Sequence, residues 1–502
     1  MRAELALLVA AVACGRGEPE TKPVEPYFGV VGETSKIKRG EPPPRTSPFF
    51  DGRRVSLRAA RGETLGLQVV LYRMGESKVS LSIDGVTVAP HQVGYLDVEE
   101  TSSALYGPSS GTGAYPDILT PVRGPSVKSA DAVYFDIEVA EDTAPGRYAG
   151  RLLVAGRSTP VDLAVEEQLM AIDRAPLVWV WFKSSDLAEA HHLADGDTAE
   201  QIALERRYAD LFRRHGALLA SDFPPERLRA RLELLSDDVR FWPVWVAKRD
   251  PDELAADVAA WIDFFRGRKQ VPFGFTIDEP DKEQQAQVRD LGLAAHRAGA
   301  GDGRFLFAVT DEPREIYRGA VDVFVSPRAI PPPPGYPAGT HFWTYNGRPP
   351  AAGNMTLDKP GTALRTWGWI AERYQIELWF AWEGLYYTDR YNRATAPTDT
   401  MHQPLTYDER KKGGEERGNG DGLLVYPGPL PSLRLKALRR GLEDRLLLRA
   451  LAHCDPGEAA RIARQQVPRA LREASEQSWP DDEASWEAAR RAVLDRLARC
   501  AR

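Results

Sequence analysis

The chain has 502 residues, of which 43% are hydrophobic and 27% are charged, the composition of an ordinary globular protein. This length exceeds what a single hydrophobic core usually serves, so two or three domains are expected. The formal net charge of −7 argues against a nucleic-acid partner, because the chain has no excess of basic residues to bind phosphates.

The N-terminus, residues 1–13, resembles a short signal peptide, because Arg2 precedes an apolar run that begins at Leu5. Small residues directly before Cys14 are typical of a bacterial lipobox, which predicts lipidation of Cys14. Residues 14–26 have the polar, proline-containing composition of a tether. We therefore expect an exported lipoprotein of the bacterial cell envelope, on its periplasmic or outer-membrane face, that contacts the membrane only through its lipid anchor. A misassigned start codon is the alternative, since Glu4 is unusual in a signal peptide.

Residues 27–170 are predicted to form an all-β domain. Short segments such as 64–72 and 133–139 alternate apolar and polar residues between turn residues. Pro145-Gly146 marks a turn before another such segment. Several short strands at this spacing are typical of a β-sandwich, which we expect to support a catalytic domain.

In residues 171–452 the pattern changes to apolar strand segments that alternate with helical periodicity. Eight such strand segments can be recognised: 177–182, 217–220, 241–246, 273–278, 305–309, 321–325, 341–345 and 376–382. This number predicts a (β/α)8 barrel of the TIM type, with one weak helix near the loop 331–334. Residues 453–502 are predicted to be C-terminal helices that brace the barrel. Cys454 and Cys500 are compatible with either a disulfide or two free thiols.

The tetrad Ile277-Asp278-Glu279-Pro280 places two carboxylates side by side at the end of the fourth predicted strand. Charge repulsion and burial both raise carboxyl pKa values, so one of the pair is expected to hold a proton near neutral pH. A protonated acid beside a fixed carboxylate is suited to cleaving a glycosidic bond. The following Pro280 predicts an extended backbone at Glu279. The carboxyl end of a barrel strand is also where barrel enzymes keep their catalytic groups.

Several further motifs together resemble glycoside hydrolase family 123 and its uncharacterised relatives. The strongest are the Gly-Asp-Gly and Tyr-Pro-Gly motifs within 418–428 and the Ser-x-Arg and Arg-x-Gly-x-Glu-Asp motifs within 432–444. Weaker motifs agree in order along the chain: Tyr115-Pro-Asp117, 144–150, Trp343-Thr-Tyr345, Arg365-Thr-Trp367 and 379–382. The resemblance covers about residues 45–452. Arg445 departs from it, because relatives often carry Tyr after the Glu-Asp pair, and we interpret this position as helix packing.

The resemblance implies a retaining β-N-acetylgalactosaminidase of exo action that uses substrate-assisted catalysis, without a cofactor or a metal. Glu279 is then the general acid, and Asp278 holds the acetamido N–H while the acetamido oxygen attacks the anomeric carbon. Tyr345 is expected to donate a hydrogen bond to that oxygen. Three tryptophans are expected to wall the sugar, with core packing as the alternative for each: Trp343, Trp367 and Trp382.

Other signals are interpreted as structural. Asp311-Glu312-Pro313 repeats the Asp-Glu-Pro tripeptide one strand later and is assigned to a loop. Arg365 is expected to hold a loop carboxylate rather than a substrate hydroxyl. His191-His192 lacks the spacing of a metal site.

Two alternative functions remain open from the sequence. One is a hexosaminidase with a different sugar preference. The other is a surface carbohydrate-binding lipoprotein without catalysis, which the intact Asp278-Glu279 pair disfavours because a binding module needs no proton donor.

Overall fold

The computed structural model describes residues 25–500 apart from 125, 128–130, 175, 222, 236 and 329–333. The predicted signal peptide, Cys14 and all but the last two residues of the predicted tether lie outside the described residues. No helix in the described part of the chain is long and apolar enough to cross a membrane.

The N-terminal region consists of two five-stranded sheets, with strands numbered along the chain. The first has the order β1 (Tyr27–Gly32), β3 (Thr64–Tyr72), β8 (Ala132–Glu138), β5 (Thr87–Val98) and β6 (Gly113–Pro121). The second has the order β2 (Val55–Arg61), β10 (Arg157–Leu169), β9 (Gly146–Val154), β4 (Ser77–Ile83) and β7 (Ser126–Val127). All pairs are antiparallel except β10 with β2. Alternate residues of both sheets, such as Leu67 and Leu163, share one hydrophobic core.

Eight short parallel strands form the predicted barrel. They are β11 (Val178–Trp181), β12 (Ala217–Ala220), β13 (Phe241–Pro243), β14 (Val271–Gly274), β15 (Leu306–Val309), β16 (Val323–Val325), β17 (His341–Tyr345) and β18 (Trp379–Ala381). Their order is β12-β11-β18-β17-β16-β15-β14-β13, so the barrel is nearly closed, with β12 and β13 at its two edges. The prediction of an all-β region followed by an eight-stranded parallel barrel is therefore confirmed.

The helices around the barrel are less regular than a full (β/α)8 pattern. They are α1 (Ser184–Ala190), α2 (Ala199–Arg213), α3 (Pro225–Arg229), α4 (Pro251–Phe264), α5 (Gln285–Arg297) and α6 (Thr366–Tyr374). A single 3-10 turn follows β15, and the described residues between β16 and β17 contain no α-helix. The weak helix predicted near 331–334 falls mostly on residues outside those described. Each predicted strand is present, whereas the predicted alternation is incomplete.

The sequence of α4 shows how local signals place these helices. Asp250 caps the helix, because its carboxylate accepts the N–H groups of residues 252 and 253, and Pro251 occupies the first turn. The buried side chains Leu254, Val258 and Trp261 form one stripe that faces the barrel.

After β18 the chain forms two small hairpins and then the C-terminal helices. The hairpins pair β19 (Leu405–Asp408) with β20 (Arg417–Asn419) and β21 (Val425–Tyr426) with β22 (Leu430–Pro431). The helices are α7 (Leu433–Cys454), α8 (Pro456–Gln466) and α9 (Glu483–Cys500). Buried ion pairs join α7 to the N-terminal sheets, for example Arg434 with Asp117 at 2.9 Å and Lys436 with Asp136 at 2.7 Å. A disulfide between Cys454 and Cys500 joins the ends of α7 and α9, which decides a question that the sequence left open.

Candidate active site

A cavity of about 790 Å³ opens at the carboxyl ends of the barrel strands. Its lining includes the segments that follow β13, β14 and β17, together with residues of the β19–β20 hairpin. Asp278, Glu279, Tyr345 and Trp382 all lie on this lining. Trp343 is also part of it, so the structure brings five of the six predicted catalytic and sugar-binding residues to one concave surface, at the end of the barrel where catalytic groups are expected.

The two carboxylates are held by side chains from neighbouring strands. Thr310, directly after β15, donates its hydroxyl to Asp278 Oδ1 at 2.8 Å and accepts the Glu279 N–H at 2.6 Å. Tyr345, the last residue of β17, donates its hydroxyl to Glu279 Oε1 at 2.5 Å. These contacts fix both acids on the cavity wall without a charged partner among the described residues.

The backbone at Glu279 differs from the expected extended geometry. Its φ angle is +44°, which is the left-handed region, and β14 ends at Gly274, four residues before Asp278. Residues 275–280 therefore form a turn rather than the end of the strand. A left-handed residue reverses the usual alternation of side chains, so both neighbouring carboxylates reach the same cavity. Strained backbone of this kind is often found at functional sites.

The surroundings of Asp278 shift its pKa. Burial within the cavity wall raises the pKa of Asp278, and the neighbouring Glu279 raises it further, whereas hydrogen bonds from Thr310 and from the Glu279 backbone lower it. Its side chain is open to the cavity but protein surrounds it on the remaining sides, which is why burial dominates. Burial and the bond to Glu279 also raise the pKa of Tyr345 far above its usual value, so this phenol stays a hydrogen-bond donor.

Aromatic side chains form one wall of the cavity around the half-buried Trp382. The rings of Tyr391 and Tyr407 lie 5.8 Å and 5.9 Å from the Trp382 ring. The Trp382 indole N–H donates to Asp421 at 3.3 Å, and its backbone N–H donates to Asn346 at 2.9 Å. Tyr391 is 46% exposed and is also stacked against Tyr386, with ring centroids 5.9 Å apart. Such a wall suits the apolar face of a sugar ring.

The other two predicted tryptophans have no solvent-exposed fraction, and only Trp343 borders the cavity. Trp343 is part of the cavity lining but is packed into the barrel core, 4.8 Å from the ring of Phe273. Trp367 lies outside the cavity lining, stacked on Trp379 at 4.8 Å, and donates its indole N–H to the Gly353 carbonyl. The expectation of a sugar-facing position is therefore corrected for Trp367, for which the core-packing alternative holds, whereas Trp343 is both buried and at the cavity lining.

Arg365 and the second tripeptide lie away from the cavity lining. Arg365 is fully buried and binds Asp444 and Glu487, each at 2.7 Å, so it holds carboxylates on α7 and α9 rather than on a loop. Asp311 accepts hydrogen bonds from Arg314 at 2.7 Å and from Tyr317 at 2.9 Å. Both residues therefore serve the structure, as their sequence contexts suggested.

Sequence reasoning missed several residues of the cavity. Thr310, Asn346, Tyr391 and Asp421 contact the predicted site residues. Two of the four had a usable signal: Asp421 is the aspartate of the Gly-Asp-Gly motif, and Thr310 directly follows the apolar strand segment 305–309, next to the strand that leads to the acidic pair. Within the described residues there is no group of three or more His, Cys, Asp or Glu side chains that could hold a metal ion.

Comparisons with known proteins support the fold. No protein-family model matches the chain, and no curated protein matches it. Among solved structures, the chain is similar to a family 123 glycoside hydrolase from Clostridium perfringens, described in connection with glycolipid glycan hydrolysis. The TM-score is 0.64 at 10% sequence identity, covering 95% of this chain and 97% of the other. The shared fold thus extends over both the N-terminal sheets and the barrel.

Two carbohydrate esterases, one from Xanthomonas citri and one from Clostridium thermocellum, also match. They cover 52% and 51% of this chain at identities of 10% and 11%, and 68% and 84% of their own chains. Their TM-scores of 0.15 and 0.18 indicate no shared fold.

Proposed function

We propose that this protein is a glycoside hydrolase that removes terminal β-linked N-acetylgalactosamine with retention, by substrate-assisted catalysis. The observation that carries the proposal is the adjacent Asp278-Glu279 pair, turned into one cavity and held by Thr310 and Tyr345. The fold shared with a family 123 glycoside hydrolase and the motif resemblance support it.

In the proposed first step, Glu279 protonates the leaving oxygen while the acetamido oxygen of the substrate attacks the anomeric carbon. The glycosidic C–O bond breaks, the aglycone leaves as an alcohol, and a cyclic oxazolinium intermediate forms. In the second step, Glu279 accepts a proton from water, and the water oxygen opens the ring with retention. The substrate supplies the nucleophile, so the protein needs one proton shuttle and one group that orients the acetamide.

Asp278 is the proposed orienting group. Its carboxylate accepts the acetamido N–H, and its negative charge stabilises the positive charge that develops on the ring being formed. Tyr345 now donates to Glu279, and the acetamido oxygen is expected to compete for this hydroxyl. Trp382 provides the face on which the sugar packs.

The first test uses purified protein without residues 1–24 and three nitrophenyl glycosides: β-N-acetylgalactosaminide, its gluco epimer, and β-galactoside. The galactoside is the matched control, because it differs only in carrying a hydroxyl in place of the acetamido group. We expect turnover of the first substrate and none of the galactoside, with initial release of the β-anomer seen by NMR. Equal turnover of the galactoside, or release of the α-anomer, would exclude the substrate-assisted route.

The same assay separates the alternatives. A preference for the gluco epimer would indicate a hexosaminidase of different specificity. Saturable binding of N-acetylgalactosamine without turnover of any of these substrates, including a disaccharide with a natural linkage, would instead indicate a carbohydrate-binding protein.

We also propose that the chain is exported and lipidated at Cys14, which rests on residues 1–14 alone. Expression of the full chain in a bacterium fed with labelled palmitate tests this. Label in the wild type and none in Cys14→Ser is expected, and label that persists in the variant would contradict it.

A further inference from the structure

A second cavity, of about 310 Å³, lies at the opposite, amino-terminal end of the barrel. Residues that precede or begin β11, β13 and β18 form part of its wall, and α6 and α7 form the rest. The charged residues that line it are Asp238, Arg240, Glu372, Glu377, Arg445 and Arg449. Arg240, Glu377 and Arg449 are exposed at its rim, so the cavity is open to solvent.

The guanidinium of Arg445 is the unusual feature of this cavity. The residue is only 9% exposed, yet its side chain donates no hydrogen bond to any described residue, and its Nε is enclosed without an acceptor. Its ion-pair contact among the described residues is Glu372 at 3.8 Å, which is beyond hydrogen-bond distance. Burying a cation without hydrogen bonds costs free energy unless a bound ligand supplies the missing acceptors.

Positive charge also exceeds negative charge around Glu372. Arg449 shares the same carboxylate, with its Nε 3.9 Å from Glu372, so two guanidinium groups face one acid. The remaining acids are already engaged: Glu377 accepts from His341 at 2.7 Å, and Asp238 pairs with Arg213 at 2.7 Å. Burial lowers the pKa of Arg445 to about 10, and the charge of Arg449 acts in the same direction. A bound anion would raise the pKa of Arg445 and so oppose both burial and the charge of Arg449.

The size and lining of the cavity restrict the ligand. A volume of about 310 Å³ corresponds to roughly ten water-sized volumes of about 30 Å³ each. Much of the remaining wall is apolar, including Leu177, Leu218 and Ile376. An oxyanion suits the two guanidinium groups, and an apolar body suits this wall.

We propose that this cavity binds a small organic oxyanion, a carboxylate or a phosphate monoester of about ten non-hydrogen atoms, with its charge against Arg445 and Arg449. The proposal does not rest on the proposed hydrolase, because Asp278 and Glu279 are not part of this lining, although Trp179 and Leu378 border both cavities.

Isothermal titration calorimetry with benzoate tests the proposal, with benzamide as the uncharged control of the same shape. We expect saturable binding of benzoate, none of benzamide, and an affinity at least tenfold weaker in Arg445→Gln and in Arg449→Gln. Arg464→Gln, which removes the same charge from an exposed position on α8, should bind like the wild type. Phenyl phosphate and inorganic phosphate, titrated separately, distinguish the two oxyanions and the contribution of the apolar body.

Absence of saturable benzoate and phenyl phosphate binding, or equal affinity in both cavity variants, would overturn the proposal. Binding of inorganic phosphate alone would contradict the claim that the ligand is organic. If Arg445→Gln fails to fold, Arg449→Gln decides the outcome, because Arg449 is exposed and its replacement leaves the helix packing intact.

Discussion

The chain contains the tripeptide Asp-Glu-Pro twice, at 278–280 and at 311–313, and the two copies have opposite environments. Asp311 is bound by Arg314 and Tyr317, and Glu312 pairs with Arg472 at 3.0 Å. Among the described side chains, only the neutral hydroxyls of Thr310 and Tyr345 donate to Asp278 and Glu279, which face a cavity of about 790 Å³. The same three residues are thus neutralised in one copy and left chemically available in the other, because their neighbours differ.

The largest difference between the two copies is expected from replacing the glutamates. Glu279→Gln removes the proposed proton donor and should reduce kcat/KM on a natural-linkage disaccharide by about 10²–10⁴-fold. Glu312→Gln is the matched control in the second copy and should leave it unchanged. The measurement is steady-state kinetics of both variants. A similar loss in both, or none in Glu279→Gln, would remove the functional contrast between the copies.

Replacing the aspartates should separate activity from stability. Asp278→Asn should lower kcat by about 100-fold, since it weakens the electrostatic support of the acetamide, and should leave the melting temperature unchanged or higher. Asp311→Asn should keep its activity but lose about 1–3 kcal/mol of stability, because Arg314 and Tyr317 lose a charged acceptor. Kinetics and thermal unfolding of both variants check this pair. A stability loss confined to Asp278→Asn would contradict the assignment of a functional role to Asp278 and a structural role to Asp311.

Two tryptophans extend the comparison from carboxylates to aromatic residues. Trp382→Ala should raise KM roughly tenfold, because about 1.5 kcal/mol of apolar contact with the sugar is lost. Trp367→Ala should instead cost about 3–5 kcal/mol of stability, since its ring is fully buried against Trp379. Kinetics and denaturant unfolding distinguish these outcomes. An unchanged KM in Trp382→Ala would exclude it from the sugar site.

The smallest effect is expected at Thr310, which distinguishes the first copy from the second. Its hydroxyl lowers the pKa of Asp278, which burial raises. Thr310→Val should therefore raise the pKa of Asp278 further. Activity needs the ionised carboxylate, so it should be lost at a higher pH as the pH falls, with roughly a fivefold decrease on the acidic side. The measurement is the pH profile of kcat/KM, and Thr310→Ser, which keeps the hydroxyl, is expected to follow the wild type.

The sequence by itself determined the order of the elements and the location of the acidic pair. Period-two alternation identified the N-terminal strands, and eight apolar segments identified the barrel strands, because burial imposes these patterns on the chain directly. The barrel in turn placed the segment after the fourth strand at the catalytic end. The incomplete helical layer was predictable only in part: the prolines at 331–334 indicated a weak helix between β16 and β17, whereas no comparable signal marked the connection after β15.

Only the tertiary structure decided which residues surround the acidic pair. The left-handed backbone of Glu279, the bridging hydroxyl of Thr310 and the donor from Tyr345 depend on contacts between strands far apart in sequence. Two tryptophans show the same limit of prediction from sequence. Trp367 and Trp382 have similar motif contexts, yet Trp367 lies in the core and Trp382 lies on the cavity wall. A motif specifies which side chains are present, whereas their exposure and partners are fixed only when the whole chain packs.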